Sequence, residues 1–465
     1  MSQRNPQTVP DAGMTPGERR ATAAVALVFG LRMAGLFMIL PVFALYAGHL
    51  EGVTPTLVGV AIGAYGLTQA LLQIPFGLLS DRLGRKRVIT AGLVVFAAGS
   101  VVAATADGIW GVILGRALQG AGAVAAALMA LLADLTRDEQ RTKAMAGVGM
   151  SIGLSFALAM VAGPPLAAWI GVPGIFWLTG VLALLGIAVI HGVVPDPARS
   201  SRHRDTEPVP GELVRVLAQP ELLRLDLGIF ALHAVLTATF VALPPLLRSE
   251  AGLAPAAHGW LYLGAMAAGV AGMVPLVILA ERRGRMRAVF LGAIVLLALA
   301  ELLLWAGHGR LVPAALALAV FFWGFNVLEA TLPSLVSRTV RPDGKGTAMG
   351  VYSSSQFLGA FVGGALGGWV SGRFGLPAVF LAALGLLVLW LAAALGMRPP
   401  PARRSVLVPV GRLEADEAAL LATRLAALPG VVEAVVVAEE ELAYLKVDPA
   451  RFDPASVREF SVAAA

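Results

Sequence analysis

The sequence predicts an all-α membrane protein of two six-helix bundles, followed by a small α+β domain of the ferredoxin-like kind. Three observations carry this prediction: apolar runs of about 20 residues, a polar loop motif that occurs once in each half, and a change of composition after Met397. Hydrophobic residues make up 58% of the 465 residues and charged residues 14%, whereas soluble domains carry roughly 25% charge.

The apolar runs define the domain order. A polar tail over 1–20 comes first, and it lacks the features of a cleaved signal peptide. An N-terminal bundle over 21–195 and a C-terminal bundle over 223–397 are joined by a polar linker over 196–222. Each run is long enough to cross a hydrocarbon core of about 30 Å. The twelve predicted spans are 21–47, 55–80, 88–106, 109–134, 143–169, 174–195, 223–247, 258–281, 287–307, 311–337, 346–371 and 376–397.

A polar loop follows the second span and repeats after the eighth. Residues 75–87 align without gaps with 275–287, and the acidic residue, the first arginine, the glycine and two later basic positions match. A repeat at this distance indicates two homologous halves, as in many transporters. The first copy reads Gly77-Leu-Leu-Ser-Asp81-Arg82-Leu-Gly84-Arg85-Lys86-Arg87.

The distribution of arginine and lysine predicts the orientation in the membrane. Basic residues precede span one and follow every even-numbered span, whereas the opposite loops hold only Arg248, Arg310 and Arg373. Basic loops stay on the cytoplasmic side. We therefore expect a multi-pass protein of the bacterial inner membrane with both termini in the cytoplasm.

The segment after Met397 reads as a separate domain. A proline-rich linker over 398–405 precedes it, and the domain covers 406–465. Strands are expected at 406–410, 431–438 and 442–447, and helices at 414–427 and 454–460. The order β-α-β-β-α indicates a ferredoxin-like fold. The segments 430–432 and 444–448 also resemble heavy-metal-associated domains, but those bind metal through paired cysteines, and this chain has no cysteine, so we predict no metal site.

Placing a polar side chain inside a membrane helix costs free energy, so each such residue is expected to have a structural or functional role. Here such residues concentrate in spans one, four, seven and ten, at spacings of three or four residues that place each pair on one helix face, such as His233 and Thr237. In span two, Tyr65, Gln69 and Gln73 repeat every four residues and form one polar stripe. Glu329 is the only carboxylate that we place deep in one of these helices. The candidate residues for proton coupling or a substrate cavity are Arg32, Tyr65, Gln69, Gln73, Arg116, Gln119, His233, Asn326, Glu329, Tyr352 and Gln356.

Several of these motifs resemble a known superfamily. The loop over 77–87 is similar to the loop signature of the major facilitator superfamily, and 113–122 resembles its fourth-helix signature. The segment 153–164 matches the antiporter signature in part, with Pro165 and Leu166 where that signature has glycines. The segments 31–33, 38–41, 65–69 and 350–353 resemble the YajR-like family, which carries a ferredoxin-like domain at this place.

The resemblance implies the major facilitator fold, a central cavity lined by spans one, four, seven and ten, and a gate at the loop. The implied gate contacts hold the two halves together on the cytoplasmic side: Asp81 would cap span eleven near Gly346, and Arg85 would pair with Asp134. The implied gate residues are Gly77, Asp81, Arg82, Gly84, Arg85 and Asp134.

The predicted function is proton-coupled efflux of a small drug-like or lipophilic compound by antiport. The sequence has no Walker motif, so we expect a proton gradient and not ATP to drive transport, with substrate, protons and lipid as partners. Nucleic acid and cofactors are not expected. One alternative is a transporter-like sensor that signals through the C-terminal domain, and another is a sugar or metabolite exporter. An enzyme is not predicted, because no acid/base or metal set is clustered near the interface.

Overall fold

A computed structural model describes residues 13–196, 210–340, 345–397, 404–411, 413–438, 442–448 and 451–461. The chain forms two compact units, Met1–Met397 and Arg398–Ala465. Parts of the predicted tail and of both predicted linkers, at 1–12, 197–209 and 398–403, lie outside the described residues.

Helices make up the first unit, in two groups separated by a short amphipathic helix. The first group begins with α1 and ends with α7, α8 is the separating helix, and α9 to α14 form the second group. Their bounds are α1 Pro16–Phe37, α2 Phe43–Tyr46, α3 Pro55–Leu83, α4 Arg85–Ala104, α5 Ile109–Ala121, α6 Ala125–Asp134, α7 Asp138–Gly192, α8 Pro210–Leu217, α9 Pro220–Ser249, α10 His258–Arg282, α11 Met286–Gly307, α12 Leu311–Thr339, α13 Lys345–Phe374 and α14 Ala378–Leu395.

Within the described residues, ten helical stretches are long and apolar enough to cross a membrane. One of them, Lys143–Gly192, contains two predicted spans. Gly171 (φ 70°, ψ 170°) interrupts the helical backbone between these two spans. A further predicted span forms α13, which is rich in glycine and serine and therefore less apolar than the ten. Helical segments thus coincide with all twelve predicted spans.

Two of these spans are interrupted where the sequence predicted continuous helices. The span predicted at 21–47 is regular only as far as Phe37, and turns lead from there to α2. Pro41 explains the break, because proline has no N–H for the helical ladder and its ring restricts the residue before it. The fourth span is divided into α5 and α6 at Gly122, whose ψ of 49° is not helical.

Glycines allow α13 to join the two halves. A Cβ atom on Gly364 would lie 2.5 Å from the carbonyl oxygen of Gly59 in α3. On Gly363, the neighbouring position, a Cβ atom would lie 2.1 Å from the carbonyl oxygen of Ala234 in α9. Small residues permit such close packing of membrane helices, so α13 packs against both halves at backbone distance.

The second unit is a small α+β domain. It contains β1 Arg404–Pro409, α15 Ala415–Ala426, β2 Val431–Val437, β3 Leu442–Val447 and a 3₁₀ helix over Pro454–Phe460. The strands form an antiparallel sheet in the order β1-β3-β2. Alternate residues of β3 are buried with Leu425 of α15, as expected for a sheet covered on one face. The last element is a 3₁₀ helix where the sequence suggested an α-helix.

Candidate functional site

Two buried arginines contact the ring of Tyr65 in the first half. Arg32 belongs to α1, Tyr65 to α3 and Arg116 to α5, and none of the three is more than 2% exposed. The guanidinium carbons of Arg32 and Arg116 lie 5.5 and 5.3 Å from the centroid of the Tyr65 ring, within the range of cation–π attraction. Three predicted cavity residues from three helices therefore meet at one place.

All three side-chain nitrogens of Arg116 donate hydrogen bonds. Nε donates to the carbonyl oxygen of Ala61 at 3.4 Å, and Nη2 donates to that of Ile62 at 3.2 Å. Nη1 donates to Oε1 of Gln119 at 3.0 Å. The three-residue spacing of Arg116 and Gln119 thus brings their side chains into contact, as predicted.

Gln119 continues into a network that the sequence analysis missed. Its Nε2 donates to Oγ of Ser100 at 2.8 Å and to Oγ1 of Thr179 at 3.4 Å. Both hydroxyl groups also donate to backbone carbonyls of their own helices, at 2.9 and 2.8 Å. Isolated serine and threonine residues commonly make such local bonds, so no sequence signal set these two apart.

A glutamine stripe on α3 connects the arginine cluster to the second half. Arg32 donates to Oε1 of Gln69, and Gln69 donates to Oε1 of Gln73 at 3.5 Å. Gln73 then donates to Oγ of Ser354 at 2.8 Å and to the carbonyl oxygen of Gly350 at 3.2 Å, both in α13. The four-residue polar repeat predicted for this helix is confirmed, and it forms a continuous path from α1 to α13.

The second half holds a separate polar cluster around Gln356. His233 Nδ1 lies 3.3 Å from the carbonyl oxygen of Ile229, which can only accept, so Nδ1 carries the proton and Nε2 accepts from the Gln356 amide at 2.8 Å. Gln356 Nε2 also donates to Oε1 of Glu329 at 3.5 Å, and His233 Nε2 lies 4.0 Å from Glu329 Oε2. The Glu329 side chain is 40% exposed, whereas its Oε2 is buried without a hydrogen-bond partner among the described residues.

The second half contains a further buried carboxylate. Asp226 in α9 is 7% exposed. Because Asp226 lies close to the start of its helix, the statement that Glu329 is the only carboxylate deep in these helices stays a prediction. Asp226 follows the start of its helix by six residues, where hydropathy does not separate the membrane interface from the interior. Asn326 lies one helical turn before Glu329, and its Nδ2 is buried without a partner in the described part of the chain.

Glu329 makes no ion pair with an arginine among the described residues. Its recorded partners are His233 and Gln356 of the second half, whereas those of Arg32 and Arg116 belong to the first half. An ion pair of Glu329 with Arg32 or Arg116 is thus not formed in this structure.

An aromatic layer between the halves was also missed. Phe156 of α7 contacts Phe37 of α1 at a centroid distance of 4.9 Å, and it contacts Phe322 and Phe325 of α12 at 6.3 and 5.9 Å. Phe325 lies 5.9 Å from the His233 ring. The search for intramembrane polar residues could not find this layer, because its members are apolar.

The loop motif forms a buried charge cluster around Arg85, which is 3% exposed. Its Nε donates to Oδ2 of Asp134 at 3.0 Å, and its Nη1 donates to Oγ of Ser80 at 2.8 Å and pairs with Asp81. The predicted pairing of Arg85 with Asp134 is confirmed. Both residues belong to the first half, so this pair joins α4 to α6 and does not itself connect the halves.

The other predicted gate residues differ in backbone conformation, contacts and exposure. Gly84 has a φ of 94°, which favours glycine, and it allows α4 to start directly after α3. The Gly77 carbonyl accepts a hydrogen bond from Ser80 at 2.7 Å, whereas Arg82 is exposed at the surface. The expected cap by Asp81 on the start of α13 stays a prediction, because residues 341–344 lie outside the described residues.

Beside this cluster, Lys86 ties the loop to the end of the sixth span. Its Nζ donates to the carbonyl oxygen of Val194 at 2.6 Å and pairs with Asp196 at 2.8 Å. The hydrogen bond from Lys86 holds the pKa of Asp196 below its ordinary value.

Comparison with known families agrees with the helix arrangement and the loop motif. The model of the Major Facilitator Superfamily matches residues 25–225 and 225–416, and that of the YajR YAM domain matches 411–452. The inner membrane transport protein YajR of Escherichia coli (strain K12) is 48% identical over 439 residues, which cover 94% of this chain and 96% of that protein. This chain belongs to the Major Facilitator Superfamily, as a YajR-like member. It is thus a multi-pass transporter of the inner membrane, and its second unit carries the YAM domain.

More distant proteins share the architecture. The multidrug resistance protein MdtH of Aeromonas hydrophila is 27% identical over 391 residues, covering 80% of this chain and 95% of that one. The crystal structure of a bacterial homolog of the human lysosomal transporter Spinster, inward-facing and occupied, superposes with a TM-score of 0.69. It is 16% identical and covers 82% of this chain and 97% of its own, and at that identity it supports the fold alone.

Proposed function

We propose that this YajR-like transporter exports a small amphiphilic compound in exchange for protons, by alternating access. The observation that carries the proposal is Glu329, a carboxylate inside a membrane helix whose Oε2 is buried without a hydrogen-bond partner among the described residues, although the side chain as a whole is 40% exposed. The similarity of this chain to MdtH, whose name describes multidrug resistance, favours export of a drug-like or lipophilic substrate.

The surroundings of Glu329 suit reversible protonation. Its Oε2 is buried and accepts no hydrogen bond from the described residues, so protonation would remove an unsatisfied negative charge. The nearest basic group, His233 Nε2, is 4.0 Å away and is occupied by the Gln356 amide. Among the residues that the structure describes, an ionised Glu329 therefore has no cationic partner, and closing the helices around that charge would be costly. Protonation removes the charge, so it would permit closure.

We further propose that the cluster around Arg85 acts as part of the gate. It fixes the loop ends of α3, α4 and α6 as one body, because Arg85 begins α4 and binds residues of α3 and α6. A rigid end lets the first half move as a unit against α13, which is how alternating access proceeds in transporters built from repeats.

Reconstitution in proteoliposomes tests the transport function directly. Vesicles would carry a pH-sensitive dye inside, and an imposed pH gradient would drive uptake of ethidium, Nile red or carboxyfluorescein as cationic, neutral and anionic amphiphiles. Gradient-dependent accumulation of at least one compound, with matching movement of protons, is the expected result. A correctly inserted protein that moves none of them and dissipates no pH gradient on their addition would favour the sensor alternative.

A further inference from the structure

Arg32 and Arg116 form a buried positive centre. Each is 2% exposed, and neither makes an ion pair with any carboxylate in the described part of the chain. The first-half carboxylates with recorded ion pairs, such as Glu18 and Asp134, bind other arginines or lysines. Buried charges in proteins are normally paired, because removal from water costs several kcal/mol per ion.

The two arginines differ in how well they are satisfied. Arg116 donates through all three of its side-chain nitrogens. Arg32 donates only through Nη2, to Gln69, and its Nε and Nη1 are buried without an acceptor among the described residues. The hydroxyl oxygen of Tyr65 is also buried without a partner there. Arg32 and Tyr65 thus retain unused donors beside a double positive charge.

A purely structural role does not account for Arg32. A packing arginine would be expected to find acceptors for its donors, as Arg116 does, because each unsatisfied buried donor costs about 1–3 kcal/mol. Such a cost is retained when the group serves function. What satisfies guanidinium donors best is an anion with two or more oxygens, since carboxylate and phosphate groups match the planar fork.

We propose that Arg32, with Tyr65 beside it, binds the anionic head group of an organic substrate, so that the transported compound is an amphiphilic anion. The rings of Phe96 and Phe357 lie 6.4 and 6.1 Å from the Tyr65 ring, so the surroundings of the two arginines are apolar. Arg116 adds attraction at 5.3 Å from the same ring. That the bound anion is transported rests on the proposed function, whereas the binding itself does not.

Matched acids and esters test this site on the purified full chain. Thermal shift and tryptophan fluorescence would be recorded with benzoate, 1-naphthoate, decanoate and indole-3-acetate, and with the methyl ester of each. We expect one or more acids, and not their esters, to bind. Arg32→Gln should weaken that binding about tenfold or more, as loss of a charged hydrogen-bond partner does. Arg32→Lys should keep part of it, and Arg310→Gln, which removes an exposed charge, should keep all of it.

The stability of the ligand-free variants is a second readout. If Arg32 serves binding, Arg32→Gln should melt at or above the temperature of the wild type, because an unpaired buried charge is removed. Esters that bind as well as acids, acids that bind Arg32→Gln like the wild type, or no binding by any acid in the panel would overturn the anion site. Acid binding without any flux in vesicles would leave the site in place and contradict the transport proposal.

Discussion

Glu301 shows how a single buried acid can be assigned a protonation state from geometry. It lies in α11 with 0% exposure, and its Oε1 is 2.7 Å from Oγ1 of Thr239. That hydroxyl is also 2.8 Å from the carbonyl oxygen of Val235, which can only accept. One hydroxyl proton cannot serve both oxygens. A protonated Glu301 that donates to Thr239 completes the arrangement, in agreement with the high cost of a charge at this place.

We therefore expect Glu301→Gln to be nearly neutral, since an amide has the shape of the neutral acid and can also donate to Thr239. Its melting temperature should correspond to a loss below about 1 kcal/mol, whereas Glu301→Ala should lose about 1–3 kcal/mol through a cavity and an unsatisfied hydroxyl. Equal losses for both variants in thermal unfolding would mean that Glu301 is ionised.

At the scale of elements, two arginines of the loop motif differ in burial and therefore in their expected effect on stability. Arg85 is buried between Asp81 and Asp134, and Arg82, three residues earlier, is exposed. Removing one partner of a buried ion pair typically costs about 3–5 kcal/mol, because the other charge stays buried. Arg85→Gln should therefore lower the melting temperature strongly, and Arg82→Gln should leave it unchanged. Comparable melting curves for the two variants would contradict the structural role of Arg85.

The contact between α3 and α13 gives a second prediction at this scale. A Cβ atom on Gly59 would lie 1.9 Å from the carbonyl oxygen of Gly364, so Gly59→Ala must force the two halves apart. Overpacking of this kind costs about 1–3 kcal/mol. Gly292→Ala is the control, since nothing lies within 4 Å of its added Cβ atom. If Gly59→Ala melts and transports like Gly292→Ala, the close contact is not essential.

The sequence predicts a helix well where the length of an apolar run determines it. It predicts a helix break poorly, because a single residue determines where the break occurs. All twelve spans were found, yet the breaks at Pro41 and Gly122 were not, because hydropathy averages over them. In the site, helical spacing correctly placed Gln69 and Gln73 on one face. The partners across helices, such as Thr179 for Gln119, depend on packing that no single-chain pattern contains.

For the whole molecule, the division into two compact units predicts that the YAM domain is separable. Truncation after Pro401 removes no residue of the membrane unit, so the shortened protein should insert, melt as one transition and retain at least part of its flux. Flux in proteoliposomes, normalised to inserted protein, is the measurement. Complete loss of flux with normal insertion would mean that the domain takes part in the transport cycle.

The central claim, coupling of transport to the protonation of Glu329, is tested most directly by comparing uphill transport with counterflow. Glu329→Gln fixes the neutral state, and Glu301→Gln is the matched control because its carboxyl group is buried outside the Gln356 cluster. The account predicts that Glu329→Gln abolishes accumulation driven by a pH gradient yet still exchanges substrate in counterflow, with both activities intact in the control. A Glu329→Gln protein that concentrates substrate with the pH dependence of the wild type would contradict it.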